Sequence, residues 1–303
     1  MYHALGFLAL AAPLFSQPLG DLPPGKTFLI VQSHHDDHTW QWGFSGFAAR
    51  LVDAGWRGHF VRTTNDEKDG GAGWGKNDQT NLRESREAVR GLGLTDVISL
   101  NWRNDHMESV PVKEVRAQFI LLLRKLRPDV VLTWDPWGHY DRNPDHRLVS
   151  RAMGEALWLA ALPNVHPEHR DLGLAPFRPG RIYYTFRSDY GRGHGYNVAI
   201  AFNEAQMRRK ADAYWAHKNV YNSPGEAKQI REALAARNLA IPELEGLSDE
   251  QAIERIRRWE IEYASRETAR ELGVPFAEKF WMVDEFDGLP GLIDYLRKEV
   301  VKQ

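Results

Sequence analysis

The sequence predicts an α/β protein with a doubly wound, mostly parallel, Rossmann-like sheet, helices on both faces and a mainly helical C-terminal elaboration. Short, continuously apolar runs alternate with helix-like segments through the first half of the chain. That alternation is typical of a parallel sheet buried on both faces by crossover helices. The 303 residues, of which 43% are hydrophobic, are enough to build one large core. No segment demands a domain boundary, so residues 26–303 are expected to form a single domain.

The first half of the chain alternates strand and helix signals. Predicted strands are runs of apolar and β-branched residues, and predicted helices space their apolar residues near 3.6. The expected elements are a strand at 27–32, a helix at about 38–54, a strand at 58–63, a glycine-rich loop at 65–81, a helix at about 82–92, a strand at 97–100, a helix at about 112–126 and a strand at 129–134. Ligands of such a sheet bind beyond the carboxyl ends of the strands, so chemistry is expected in the loops that follow them.

The C-terminal half is expected to add two strands and then mainly helices. Residues 181–186 and 197–202 are apolar runs of strand length. Helix-forming residues with apolar spacing near 3.6 follow at 204–218, 224–237 and 249–272.

Charge and cysteine content exclude several kinds of protein. Lys and Arg number 39 against 41 Asp and Glu, so the chain lacks the basic field that attracts nucleic acid. The chain contains no cysteine, which excludes disulfides, thiolate zinc sites, iron–sulfur clusters and a cysteine nucleophile. Any metal must therefore be held by histidine and carboxylate groups.

The N-terminal residues 1–16 contain an apolar run that is too short to span a bilayer. The run is typical of the hydrophobic region of a signal peptide, and residues 1–17 are expected to direct export. The lack of Lys and Arg before it favours the alternative, a loose tail on a cytoplasmic protein. No other segment is expected to insert into a membrane, and nothing in the sequence indicates an oligomeric state.

Polar residues concentrate at 33–38, directly after the first predicted strand. Three of the 12 histidines and two adjacent aspartates stand there. A strand-to-helix turn directs residues i and i+3 toward one centre, so His34 and Asp37 are candidate ligands of a divalent cation. Asp36 would then face another part of the same pocket. The alternative is that one aspartate caps the next helix and that the histidines lie on the surface.

A second polar cluster, residues 134–146, follows the fourth predicted strand at the same sheet edge. His146 can complete a set of two histidines and one carboxylate, which suits zinc and leaves a position open for water. His166 and His169 form a similar-looking pair. That pair follows a helix instead of a core strand, so His146 is preferred as the ligand.

These residues resemble the motifs of the PIG-L/LmbE-like zinc-dependent deacetylases, which remove acetyl groups from N-acetylglucosamine-type sugars. The family motif A-H-P-D-D-E is similar to residues 33–38, and the motif H-P-D-H is similar to residues 143–146. Weaker similarity is present at 92–93, 104–105, 216–217 and 277–280.

The resemblance implies roles for four residues. His34, Asp37 and His146 would bind one Zn²⁺ per chain, and Asp36 would be the general base. Zinc makes the attacking water more acidic, and an unligated carboxylate beside it can accept the proton as the acetyl carbonyl is attacked. The expected enzyme is an amidohydrolase that acts on a small amino-sugar derivative.

Asn143 occupies the position of the family's first histidine in the second motif. That histidine stabilises the oxyanion, so Asn143 is assigned a catalytic role. An amide can donate a hydrogen bond but cannot deliver a proton. Proton delivery to the leaving amine would then fall to Asp36, His139 or His38.

Substrate contacts are expected from Arg83, Asp105 and His139. Asp105 stands where the family places a substrate-binding aspartate. Arg83 is two residues from the family's arginine, and a solvated charge at the start of a helix is its alternative role. Four aromatic residues of the same loops are candidates for stacking on a sugar ring or for packing in the core: Trp74, Trp102, Trp137 and Tyr140.

Two other function classes fit parts of the pattern. A metal-dependent phosphoester hydrolase also uses histidine and aspartate at a sheet edge, normally with two metals close together. A sugar-binding protein that has lost catalysis would fit the asparagine at position 143.

Overall fold

The computed structural model describes residues 15–16, 24–136, 141–185, 196–270 and 272–284. The strands are β1 (Phe15–Ser16), β2 (Thr27–Gln32), β3 (Arg57–Thr64), β4 (Val97–Trp102), β5 (Val130–Trp134), β6 (Arg181–Thr185), β7 (Val198–Phe202) and β8 (Phe276–Asp284). The helices are α1 (Ser45–Asp53), α2 (Asn77–Leu92), α3 (Val112–Leu126), α4 (Pro144–Leu159), α5 (Glu204–Ala216), α6 (Lys218–Tyr221), α7 (Pro224–Ala235) and α8 (Asp249–Arg270).

The described strands form one sheet in the order β1-β7-β8-β6-β5-β2-β3-β4. Every neighbouring pair is parallel except those of β8, which runs antiparallel to both β6 and β7. From β2 the chain moves outward to β3 and β4 and then returns to β5 on the other side of β2. The loops after β2 and β5 therefore meet where the winding direction changes, which is the usual ligand site of such sheets. The predicted fold class is confirmed.

Both faces of the sheet are buried, as the apolar strands predicted. Phe28 and Ile30 of β2 pack on one face against α1 and α2, while Leu29 and Val31 pack on the other against α3 and α4. A third apolar cluster joins α5, α7 and α8 beyond the sheet. A strand covered on both faces has no polar side, which explains why β2 is continuously hydrophobic.

The helix predicted from residue 38 begins only at Ser45, so that boundary was wrong. Residues 34–44 form turns in which Phe44 N and Ser45 Oγ both donate hydrogen bonds to the His38 carbonyl, at 2.9 and 2.6 Å. A Cβ on Gly43 would lie 2.2 Å from the same carbonyl oxygen, so the close turn requires glycine. The polar residues after β2 consequently remain in a loop at the sheet edge.

The start of helix α2 and the presence of strand β8 also differ from the prediction. Helix α2 begins at Asn77, inside the predicted loop, because the glycine-rich part ends at Gly75 and the Asn77 side chain accepts a hydrogen bond from Gly73 N. Strand β8 was missed, since its sequence carries Glu278 and Lys279 and lies where only helices were expected. This strand lies between β6 and β7 in the sheet.

A buried ion pair joins β8 to helices α1 and α5. Lys210 Nζ lies 2.6 Å from Glu278 Oε1, and both side chains are at most 2% exposed. The same carboxylate accepts hydrogen bonds from Gly46 N and Phe47 N, at 2.9 and 2.8 Å, at the first turn of α1. A carboxylate at a helix N-terminus satisfies donors that the helix itself leaves unpaired. Glu278 therefore anchors the helix that follows the polar loop.

Replacing Lys210 with Met is expected to lower the free energy of unfolding by about 3–5 kcal/mol, because Glu278 would stay buried without its cation. Denaturant titration followed by circular dichroism measures the change. Lys228→Met is the matched control, since Lys228 pairs with Glu232 at 3.9 Å on an exposed helix surface. That variant should change stability by less than about 1 kcal/mol. Equal effects of the two substitutions would contradict the anchoring role of the buried pair.

The signal-like N-terminal residues lie mostly outside the described part of the chain. Within it, Phe15–Ser16 pairs in parallel with Val198 and Ala199 of β7. Export stays a prediction. No helix among the described residues combines the length and the apolar character needed to cross a bilayer.

Candidate active site

Three predicted ligands converge at the sheet edge. His34 Nδ1 lies 3.1 Å from His146 Nε2, and Asp37 places one carboxylate oxygen 3.4 Å from His34 Nδ1 and the other 3.3 Å from His146 Nε2. His34 and Asp37 come from the loop after β2, and His146 lies in the first turn of α4. All three side chains are buried, and their donor atoms lie within 4.8 Å of one another. Two imidazoles and a carboxylate in this arrangement can hold a divalent ion such as zinc.

Neither aspartate of the first motif caps helix α1, which begins at Ser45 and whose N-cap residue is Phe44. The histidines of the motif are buried, so the alternative of a surface cluster is wrong as well.

Each ligand histidine has a carboxylate on its outer nitrogen. His34 Nε2 lies 3.3 Å from Asp145 Oδ2, and His146 Nδ1 lies 2.8 Å from Asp141 Oδ2. Asp145 is itself held by the backbone N–H groups of Asp105 and Met107, at 2.7 and 3.2 Å. Such outer carboxylates fix the ring orientation and tautomer of metal-binding histidines. From the sequence, Asp141 and Asp145 were only neighbours of His146, and their contacts with the two histidines were not predicted.

Electrostatic interactions shift the pKa values of all three candidate ligands. Burial lowers the pKa of His34, but the carboxylates of Asp37 and Asp145 outweigh it, so the pKa lies well above the ordinary value. The pKa of His146 is likewise raised against burial, by Asp37 and Asp141. Burial raises the pKa of Asp37, and the positive charges of His146 and His34 more than reverse this, which leaves the pKa well below its usual range. The surrounding carboxylates therefore favour the protonated form of each imidazole when no metal is bound.

Metal binding is expected to release about one proton or more per ion near pH 7, because imidazole must be neutral to bind a metal. As the pH is lowered, His34 becomes protonated and competes with the metal. Because the pKa of His34 is raised, this loss of metal affinity should begin at a pH above the ordinary value of 6.5. Proton release should shrink as the pH rises through the raised pKa. Calorimetric titrations in buffers of different ionisation enthalpy measure the release. Asp145→Asn, which removes a carboxylate from His34, should reduce it, and release that does not vary with pH would contradict the raised pKa.

Asp36 is buried beside this group but is not one of the three converging ligands. Its Oδ2 atom accepts a hydrogen bond from Trp40 Nε1 at 3.2 Å and another from the Tyr221 hydroxyl. The structure thus separates Asp36 from Asp37, as the spacing predicted. Tyr221 lies far along the chain on α6, and no motif in the sequence pointed to it.

Asn143 is the N-cap of helix α4. Its Oδ1 atom accepts hydrogen bonds from Asp145 N and His146 N, at 2.8 and 3.4 Å. The amide oxygen is therefore engaged in orienting the turn that carries His146. Only Nδ2 remains as a donor toward a substrate, and it makes no hydrogen bond with the described residues. The oxyanion role of Asn143 stays a prediction, and the capping role is an addition to it.

Asn143→Asp is expected to separate the two roles, because aspartate is as good an N-cap as asparagine but has no donor when ionised. If Nδ2 stabilises the oxyanion, this variant should lose about two to three decades of kcat with little change in KM or thermal stability. Asn143→Ala should lose activity and also about 1 kcal/mol of stability. Asn143→His should retain substantial activity. Full activity in Asn143→Asp would show that Asn143 acts only as the N-cap of helix α4.

The structure does not bring all the predicted substrate contacts together. Arg83 lies on the exposed side of α2, whereas Asn81 on that helix is buried and donates hydrogen bonds to the carbonyl oxygens of Asp66 and Asp69 near the site. Asp105 lies beside the site through its backbone, and its exposed carboxylate is 3.7 Å from Lys68 Nζ. Arg83 therefore has no observed contact with the site residues.

The aromatic candidates are spread over different environments. Trp74 is 70% exposed in the loop before α2. Trp102 is half-buried and donates a hydrogen bond to Gln118 at 2.8 Å, so it serves packing. His139, Trp137 and Tyr140 lie outside the described residues.

His38 is wholly buried against Phe60 and His217. Burial lowers the pKa of His38 to about 3, so its ring is neutral and enclosed. The suggested proton route through His38 has no support in this geometry.

The His166–His169 pair lies away from the sheet edge. His169 Nδ1 is 3.1 Å from Arg124 Nη1, and His166 Nδ1 is 2.9 Å from Glu168. These two histidines and Glu168 also lie within 4.8 Å of one another. The guanidinium of Arg124 already occupies one ring nitrogen and would repel a metal ion, which favours a structural role.

Comparison with known proteins agrees with the motifs. Residues 29–157 match the family described as PIG-L: GlcNAc-PI de-N-acetylase. Both motifs, residues 33–38 and 143–146, lie inside the matched region. A diacetylchitobiose deacetylase from Thermococcus kodakarensis is 28% identical over 192 residues, which cover 61% of this chain and 69% of that protein. A 1D-myo-inositol 2-acetamido-2-deoxy-alpha-D-glucopyranoside deacetylase from Thermomonospora curvata is 31% identical over 120 residues, 34% of this chain and 38% of that protein.

Solved structures share the architecture. The N,N'-diacetylchitobiose deacetylase of Pyrococcus horikoshii aligns with a TM-score of 0.64 at 23% identity and covers 86% of this chain and 84% of its own. A 4-carboxy-2-hydroxymuconate hydratase from Pseudomonas putida aligns with a TM-score of 0.58 at 16% identity, over 85% of this chain and 96% of its own. One fold thus carries proteins named for different reactions, so the reaction must be argued from the site.

Proposed function

We propose that this protein is a zinc-dependent N-deacetylase acting on an amino-sugar derivative of the N-acetylglucosamine type. The observation that carries the proposal is the convergence of His34, Asp37 and His146, with Asp36 buried beside them and outside that set. This donor set lies within the PIG-L region, and relatives of the chain are named as deacetylases of acetylated amino sugars. The contacts from α6 to Asp36 support one functional domain over residues 26–303.

The residues fit a zinc ion by their chemistry. The inner nitrogens of His34 and His146 and the Asp37 carboxylate face one point, while carboxylates hold the outer nitrogens. A bound zinc ion would make the attacking water more acidic and polarise the amide carbonyl. Three protein ligands leave a position open, as catalytic sites require.

Asp36 is assigned the proton transfers. It accepts a proton from the attacking water as the water oxygen bonds to the acetyl carbonyl carbon. The C–N bond then breaks, and Asp36 returns the proton to the leaving nitrogen, which gives acetate and a free amine. The Asn143 Nδ2 group would donate a hydrogen bond to the oxyanion that forms in between. Asp105, beside the site, would accept a hydrogen bond from a sugar hydroxyl.

A two-metal phosphoester hydrolase has one observation in its favour. His34, Asp66 and Asp69 also place ligand atoms within 4.8 Å of one another. Asp66, however, is already 3.1 Å from Arg62 Nη1 and 3.4 Å from His35 Nδ1, so its charge is compensated without a metal. A one-metal deacetylase therefore fits these residues better than a two-metal phosphoester hydrolase.

Product analysis tests the proposal. Zinc-loaded protein is incubated with N-acetylglucosamine, N,N'-diacetylchitobiose and a glucosaminide acetylated at nitrogen, and in parallel with bis(p-nitrophenyl) phosphate. We expect acetate and new amine in equal amounts from at least one sugar and no nitrophenol. Nitrophenol without acetate would establish the phosphoester hydrolase. Saturable sugar binding without acetate would establish the binding protein.

A further inference from the structure

We propose that Tyr221 is a positioning residue that, with Trp40, holds Asp36 so that one carboxylate oxygen is engaged and the other accepts the proton. This inference rests on the proposed function, because it concerns the general base of that reaction. It assigns a role to a residue on α6, outside residues 29–157 that match the family.

The two oxygens of Asp36 have different surroundings. Oδ2 accepts a hydrogen bond from the Tyr221 hydroxyl, and the hydroxyl oxygen in turn accepts one from Trp40 Nε1, whose single N–H is shared with Oδ2 at 3.2 Å. Oδ1 lies 3.9 Å from His35 Nδ1, beyond hydrogen-bonding distance. A carboxylate with one oxygen held by this Trp40–Tyr221 pair cannot rotate freely, so Oδ1 is the oxygen left to take a proton from water.

The Tyr221 hydroxyl has the properties of a fixed donor. The residue is only 5% exposed, and its ring packs on Tyr214 with the ring centroids 4.2 Å apart. Burial, and then the negative charge of Asp36, raises the pKa of Tyr221 well above its ordinary value. The hydroxyl therefore keeps its proton and can only donate toward the carboxylate.

The short helix α6 is itself held in place from α2. Asn219 N donates to Glu84 at 2.9 Å, and Asn219 Nδ2 donates to Asn81 at 2.7 Å. The carbonyl and the side-chain oxygen of Asn219 accept hydrogen bonds from Gly71 N and Ala72 N, at 2.8 and 2.7 Å. Two residues before Tyr221, the chain is thus tied to both the glycine-rich loop and α2. Tyr221 reaches Asp36 from a rigid support, as a positioning residue must.

The proton step follows from this arrangement. The attacking water transfers its proton to Asp36 Oδ1 while its oxygen bonds to the acetyl carbonyl carbon. Tyr221 keeps its own proton throughout and takes no part in the exchange. Its effect is to keep the accepting oxygen aimed at the water, which affects the transition state more than substrate binding.

Tyr221→Phe is therefore expected to lower kcat about tenfold or more, the size expected for a hydrogen bond to a charged group. KM and the metal content per chain should not change. Tyr214→Phe is the matched control, since it removes a hydroxyl from the other ring of the same pair, which makes no hydrogen bond to Asp36. The control should keep the wild-type kcat. Equal losses in the two variants would show a packing effect and overturn the proposal.

A double-mutant cycle distinguishes positioning from a general structural effect. In the Asp36→Asn background, Tyr221→Phe should cause little further loss, because the base that Tyr221 positions is already absent. A full additional tenfold loss in that background would overturn the proposal. Wild-type kcat in Tyr221→Phe, with acetate release by the unmodified protein, would overturn this inference alone. Absence of acetate release by the unmodified protein would instead refute the proposed function.

Discussion

His146→Ala is expected to lose the metal and, with it, all measurable deacetylation. Purified wild-type protein should hold about one divalent ion per chain, the content of an open catalytic zinc site. The substitution removes one of three ligands, the imidazole partner of Asp141 and one of the two imidazole partners of Asp37. Elemental analysis of protein dialysed against trace metal measures the loss, and we expect occupancy to fall at least tenfold.

The control for this result is His169→Ala. His169 belongs to the other group that resembles a metal site, but Arg124 lies against its ring nitrogen. The control variant should therefore keep its metal. Retention of metal by His146→Ala together with loss in His169→Ala would show that the metal binds at the His166–His169 pair.

Asp36→Asn is expected to keep the metal and lose about two to four decades of kcat, the usual range for removing a general acid–base group. Asparagine has nearly the same shape and can still accept hydrogen bonds from Tyr221 and Trp40, but it cannot take a proton from water. The KM for the sugar should change little. Steady-state kinetics and metal analysis on the same preparation measure kcat and the metal content per chain.

Metal content decides how the Asp36→Asn result is interpreted. Asp37→Asn is the informative neighbour, because Asp37 contacts both His34 and His146 and should be needed for metal binding. We expect the two adjacent substitutions to differ, with metal lost only in Asp37→Asn. A fall in metal content in Asp36→Asn as well would make Asp36 a ligand and contradict the assigned roles.

The placement of the three ligands could be predicted because it follows from short-range features. The apolar run of β2 ends directly at the polar residues 33–38, and α4 begins at the second motif. Parallel strands bring their carboxyl ends to one edge, so two distant polar loops had to meet. The i, i+3 spacing of His34 and Asp37 then placed both side chains toward His146, as observed.

Other features could not be predicted, because they depend on contacts that are distant in sequence. Tyr221 lies 185 positions from Asp36, and no local pattern links the two residues. Strand β8 was missed because Glu278 and Lys279 interrupt its apolar pattern, and the partner that stabilises Glu278 is Lys210 on α5. The early helix boundary failed for a more local reason, since the turn at residues 34–44 depends on hydrogen bonds to the His38 carbonyl.

The central claim is a single-metal deacetylase site, and zinc titration of metal-free protein tests it most directly. Acetate release from a verified N-acetylated sugar is measured as zinc is added in steps to a known concentration of chain. The proposed site predicts no acetate release without metal and a rise that saturates at about one equivalent per chain. Saturation only at two equivalents, or acetate release by the metal-free protein, would contradict it.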